Sequence, residues 1–247
     1  MNKYLAIINA RTGLAISIGA LMTYITIHFD FHYNYDLTMV SIAIIFPLVF
    51  TIRSAFRRRE KALEYLSRFK AGLITVDACF QENRKITPES KEEVRGTVRA
   101  ISDYLMDYLG PETCTVEKVN EEAGKIAAFI RANAEHIGNA TALKIYRFMK
   151  DVYQGIENVV AIKKHRTPIS IRAYCLLFIY IYPIIYCPSL YNKLYDGVTD
   201  RDMWILYALI MFSIFILISL YNVQEQLENP FDQHGVDDIR LNDFRVK

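Results

Sequence analysis

Residues 41–60 read SIAIIFPLVFTIRSAFRRRE. An apolar run broken by Pro47 passes within two turns into Arg53, Arg57, Arg58 and Arg59. An apolar helix that ends in a cationic belt is how a chain leaves a bilayer on its cytoplasmic side. At about 100° per residue, Ile42, Phe46 and Phe50 stack on one side of that helix, each about 40° round from the last. Pro47 withholds one amide donor and releases the carbonyl of Ala43. In lipid such a break is tolerated where protein neighbours or a water-filled cavity cover it. The stretch therefore predicts a spanning helix in the interior of an assembly. Spacing alone favours a plainer reading of the three side chains, as lipid-facing or helix-packing groups, because apolar stripes are the norm in membrane helices.

The rest of the chain agrees with a membrane setting. Of its 247 residues, 52% are hydrophobic, which is high for a soluble protein. Four segments approach the ~20 residues a spanning helix needs: Thr12–His28, Leu37–Phe56, Ile171–Leu190 and Met203–Tyr221. The first is followed by HFDFHYNYD, with no small-residue cleavage site, so it is not read as a signal peptide. With only 10 Gly and 7 Pro the chain lacks the turns of an all-β fold. A net charge of +2 is too small to suggest a nucleic-acid binder, so what matters is where the charges sit. Cys79, Cys114, Cys175 and Cys187 have no metal or redox spacing and read as free thiols.

Orientation follows from where the cations lie. Residues 53–70 carry Arg53, Arg57, Arg58, Arg59, Lys61, Arg68 and Lys70 against Glu60 and Glu64. Lys163, Lys164, Arg166 and Arg172 surround the start of the third segment. The loop 29–36 holds two Asp and no Lys or Arg, and the loop 192–202 holds three Asp against Lys193 and Arg201. The positive-inside rule puts both termini and residues 57–170 in the cytoplasm of a multi-pass cell-membrane protein.

The cytoplasmic insert reads as helical. Thr87-Pro88 offers an N-cap followed by proline at the first helical position. Ile101, Tyr104, Leu105, Tyr108 and Leu109 recur at helical spacing, and Gly110-Pro111 stops that helix. Ile126, Phe129 and Ile130 are expected to begin another stripe, and Tyr146, Met149, Tyr153, Ile156 and Val160 to form one more. The fold class is therefore an all-α integral membrane protein. A first transmembrane hairpin (1–56) is followed by a cytoplasmic helical region (57–168), a second hairpin (169–222) and a cytoplasmic tail (223–247).

Enzyme motifs are missing: the sequence holds no P-loop, GxSxG, HExxH or CxxC. His28, Asp30, His32 and Asp36 could be read as a metal site. Their aromatic neighbours Phe29, Phe31, Tyr33 and Tyr35 make a membrane-interface loop the better reading.

Four stretches together resemble the bestrophins, a family of pentameric ion channels. SIAIIFPLVF resembles the family's pore-lining second helix, and Arg58 follows Phe50 by eight residues, as an arginine does there. KKHRTPISIRAY (163–174) with the proline-bearing LLFIYIYPIIY resembles the entry to its third helix, and LENPFDQHGVDDIRL (227–241) its tail. The resemblance implies a homopentamer in a lipid bilayer, whose second helices line a hydrophobic neck of Ile42, Phe46 and Phe50. It implies a second constriction at the cytoplasmic mouth, at Ile169, with Arg57, Arg58 and Arg59 as the basic exit. Calcium-gated animal members carry an acidic tail cluster. Here Asp232, Asp237 and Asp238 could supply oxygens, but Gln233, His234 and Gly235 interrupt them, and a metal-free tail without cofactor is expected. Inward phenyl edges and the basic exit point to chloride and other small anions. A cation channel of the same fold and a non-conducting scaffold stay open.

Orientation has a direct test. In a background lacking native cysteines, N34C and D196C should react with an impermeant thiol reagent applied from outside, and S90C should not. The opposite pattern would reverse the topology.

Overall fold

The structure is a computed structural model describing residues 8–110, 113–195, 203–233 and 237–247. Every regular element among them is helical. The chain forms two compact units: residues 1–56 with 167–228, and residues 57–166 with 229–247. Among the described residues four helices are long and apolar enough to cross a membrane, at the four predicted places.

Three of those helices, with the start of the fourth, form the first unit. Helix α1 (Ala10–His28) packs on α7 (Ile169–Tyr195) and α8 (Met203–Leu227), which pack on each other. Asn9 caps α1: its side chain accepts from the Thr12 amide at 3.1 Å, while the Thr12 hydroxyl accepts from the Asn9 amide at 3.3 Å. The same Thr12 hydroxyl accepts from Asn222 of α8 at 3.0 Å, and Asn9 donates to Asn222 at 3.1 Å. This knot of amides ties the two helices by hydrogen bonds, the natural glue where apolar side chains gain little by leaving lipid. The core beside it includes Ala15, Leu48, Ile179, Cys187, Leu206, Ile210 and Ile214.

Helix α2 (Thr38–Gln81) is far longer than its apolar segment and continues to Gln81 with Pro47 inside it. In the second unit its buried residues are Ala62, Leu66, Phe69, Leu73, Val76 and Phe80. Their alternating spacing of four and three is the seam of a helix packed lengthwise in a bundle. Against it lie α3 (Pro88–Leu109), α4 (Val116–Ala132), the single turn α5 (Ala134–Ile137) and α6 (Asn139–Lys164). Thr87 caps α3 as expected, accepting from the Ser90 amide at 3.3 Å, and α3 ends at Gly110. α2 and α6 approach closely at Gly155, where an added Cβ would lie 2.7 Å from the Cβ of Phe69.

Two expectations are corrected. Ile126, Phe129 and Ile130 close α4 rather than begin a stripe, because Asn133 caps its end. The five-residue stripe on α6 splits: Met149, Ile156 and Val160 are buried, whereas Tyr146 and Tyr153 are exposed. The tail also divides. Residues through Glu228 finish the first unit, and 229–247 complete the second, because Phe231, Ile239 and Leu241 enter its core. A 3₁₀ turn (Leu241–Phe244) then leads to Arg245, which donates to Asp103 at 2.8 Å and to Asp107 at 2.5 Å.

Phe231→Ala should therefore destabilise the second unit by about 3–5 kcal/mol, the range for a buried phenyl. Thermal or urea unfolding of purified protein would read this. The surface change Glu135→Ala should stay within about 0.5 kcal/mol.

Candidate functional site

Helix α2 has two unlike faces along its apolar half. Ile44, Leu48, Thr51 and Ala55 are buried. On the opposite side Ile42, Phe46 and Phe50 are 41%, 56% and 60% exposed. The Phe46 and Phe50 rings lie 6.0 Å apart at 34°, so they form one aromatic surface on consecutive turns. Met39, Ile45 and Val49 widen this bare apolar face. The three expected neck residues thus share one face, and that face is unused by the packing of the chain itself. At the helix start, the Asp36 carboxylate accepts from the Thr38 hydroxyl at 2.5 Å and its amide at 2.9 Å. The hydroxyl, more than the amide, holds the Asp36 carboxyl below its ordinary range.

The basic residues that follow separate by direction. At about 100° per residue, Arg53 and Arg57 each fall about 20° from Phe46 in projection. Both are exposed. Arg58 and Arg59 fall about 120° and 140° away, towards the packed side. Arg58 donates to the carbonyl of Ile162, near the end of α6, and Arg59 donates to the carbonyl of Asp237 at 2.6 Å. Of the expected basic exit, two residues hold the second unit together. The third, Arg57, stands on the bare face with Arg53, whose role the apolar-to-basic transition hid by making it look like a boundary marker.

Ile169 is the first residue of α7 and is 79% exposed. The segment before it is fixed. The buried Glu228 carboxylate accepts from the Thr167 amide at 2.5 Å, from its hydroxyl at 3.0 Å and from Gln224 at 3.3 Å. Exposure does not single out Ile169, since Leu143 on α6 is 74% exposed. Leu143 continues with Tyr146 and Tyr153 as an exposed apolar stripe that helical spacing alone could not separate from core. Partial burial raises the Tyr153 hydroxyl pKa above its ordinary value.

In the tail, Asp232 and Asp237 are exposed and Asp238 is half-buried. Asp232 accepts from Asn229 at 2.9 Å, and the Asp237 carbonyl is engaged by Arg59. His234 and Gly235 lie outside the described residues. Among the described residues no three His, Cys, Asp or Glu side chains converge on a common point, in the tail or in the loop 29–36.

No family model matches the chain, and no curated protein matches it by sequence. Solved structures do. A bacterial bestrophin homologue from Klebsiella pneumoniae superposes with a TM-score of 0.78 at 14% identity, over 95% of this chain and 93% of that one. A point variant of a homologue from the same organism gives 0.76 at 14% identity, over 95% and 94%. A structure described as a membrane protein variant gives 0.77 at 14%, over 95% and 93%. The chain has the bestrophin fold.

The split among the arginines is measurable. Arg58→Ala should lower unfolding stability by about 1.5–3 kcal/mol, as expected for a lost hydrogen bond to a charged group. Arg57→Ala should stay within about 0.5 kcal/mol. Equal losses in thermal unfolding would contradict the two orientations.

Proposed function

We propose that the chain is one subunit of a homopentameric channel in the cell membrane, conducting chloride and other small anions, with both termini cytoplasmic. One observation carries the reading: the bare apolar face of α2, beside a proline that withholds one helical hydrogen bond within a membrane span. A helix with an unsatisfied carbonyl is poorly suited to face lipid and well suited to face protein or a water-filled path. Five such faces around an axis make rings of Ile42, Phe46 and Phe50. The bestrophin fold supports that arrangement.

The chemistry of such a neck is exclusion rather than coordination. Phenyl rings cannot replace the hydration shell of an ion. A narrow apolar ring holds a thin water column or expels it, so the pathway conducts when the ring widens and stops when it dries. Aromatic edges carry partial positive charge, so inward edges tolerate an anion better than a cation. Ile169 is the second constriction in this reading, at the head of α7. Its support is its place at the head of α7, just after the Thr167 that Glu228 clamps. Calcium has no part in opening.

The test is flux from purified protein in liposomes, with a chelator present and the subunit count read by native mass spectrometry. Wild type should be a pentamer that passes chloride. Replacing Ile42, Phe46 and Phe50 together by Ala should keep the pentamer and raise basal flux several-fold. An intact pentamer with unchanged flux would remove the neck assignment. A stable monomer or dimer across mild detergents would remove the assembly.

A further inference from the structure

We propose that Arg53 is the residue that sets ion preference, as the first charged ring an ion meets after Phe50. This inference rests on the neck reading above and adds the specificity element to it. Arg53 is seven residues beyond Phe46, two helical turns, and so stands almost directly below it. Its side chain starts about 4.5 Å along the axis from Phe50, at 1.5 Å per residue. It is exposed, as Phe46 and Phe50 are, while Thr51 and Ala55 on either side of it are buried. Among the described residues no carboxylate pairs with it, whereas Arg11 and Arg172 of the same unit both pair with Glu225, at 2.5 and 3.4 Å.

The acidic residues on the same helix come later. Glu60 is about two turns further on and exposed. Glu64 is held by Lys61 at 3.1 Å and Arg68 at 2.8 Å. Between Phe50 and Glu60 the only charged side chains on the bare face are Arg53 and Arg57. Arg58 and Arg59 cannot serve, since both are turned away and bound to backbone carbonyls. An ion leaving a dry apolar ring is poorly screened, and a guanidinium placed there attracts an anion and repels a cation more strongly than one in open solvent. The competing role is an interfacial anchor, in which Arg53 snorkels to lipid phosphates outside any pathway.

Reversal potentials of reconstituted protein in a potassium chloride gradient separate the two. With Arg53 on the pathway, R53Q should lower the chloride-to-potassium permeability ratio roughly tenfold, the low end of focusing by one-sign linings. R53E should turn the preference to potassium, and R53K should keep the wild-type ratio. The exposed Arg131 of α4 serves as control, and R131Q should change nothing. R53C reads the same charge without relying on the fold of R53Q: an ammonium-bearing thiol reagent should restore anion preference and a sulfonate-bearing one should abolish it. Wild-type ratios in R53Q and in sulfonate-modified R53C would overturn the proposal. That failure is distinct from failure of the neck, which the alanine variant reports through basal flux. A wild type that prefers potassium, or passes no ions at all, would also overturn it.

Discussion

Helix α2 must be packed along one side only. Its buried positions run Ile44, Leu48, Thr51, Ala55, then Ala62, Leu66, Phe69, Leu73, Val76 and Phe80. Within each unit the spacing of three and four keeps the seam on a nearly constant side of the helix. The seam's apolar half serves the first unit and its remainder serves the second, which leaves the opposite side without a partner inside the chain. A helix that used both sides would be a better core element and would have nothing to offer an assembly.

The constraint explains the fate of the arginines. Arg58 and Arg59 interrupt the apolar seam between Ala55 and Ala62, where each is partly covered and its guanidinium needs partners. Backbone carbonyls of Ile162 and Asp237 supply them. Arg53 and Arg57 fall off the seam and keep their charge on the open side. A run that looks in composition like one basic patch is two pairs with different work. What a charge does along this helix is thus decided by register, not by count.

How much of this could be read from the sequence follows from the same distinction. Four long apolar segments, the Thr87 cap and the Gly110 stop were legible because each is a local signal. The shared face of Ile42, Phe46 and Phe50 was legible from spacing. Whether a face is bare or packed was not, and the stripe on α6 shows why: Met149 and Tyr153 lie on neighbouring turns, yet only Met149 is buried. The docking of Phe231 and Leu241 into the second unit was also hidden, because a tail reached after two intervening membrane helices leaves no local trace of its partner. The directions of Arg58 and Arg59 became visible only with their acceptor carbonyls in place.

The late position of Phe231 also orders the making of the protein. The second unit begins at Arg57 but cannot close until residues 229–247 arrive, and both α7 and α8 are synthesised in between. At ~5–20 residues per second, the roughly eighty residues after Arg166 take on the order of ten seconds to translate. During that time Leu66, Phe69 and their neighbours lack one wall of their core. A cell must therefore insert the last two membrane helices before the second unit is complete, and chaperone demand during biosynthesis should be set by the speed of insertion rather than by that unit's own folding rate.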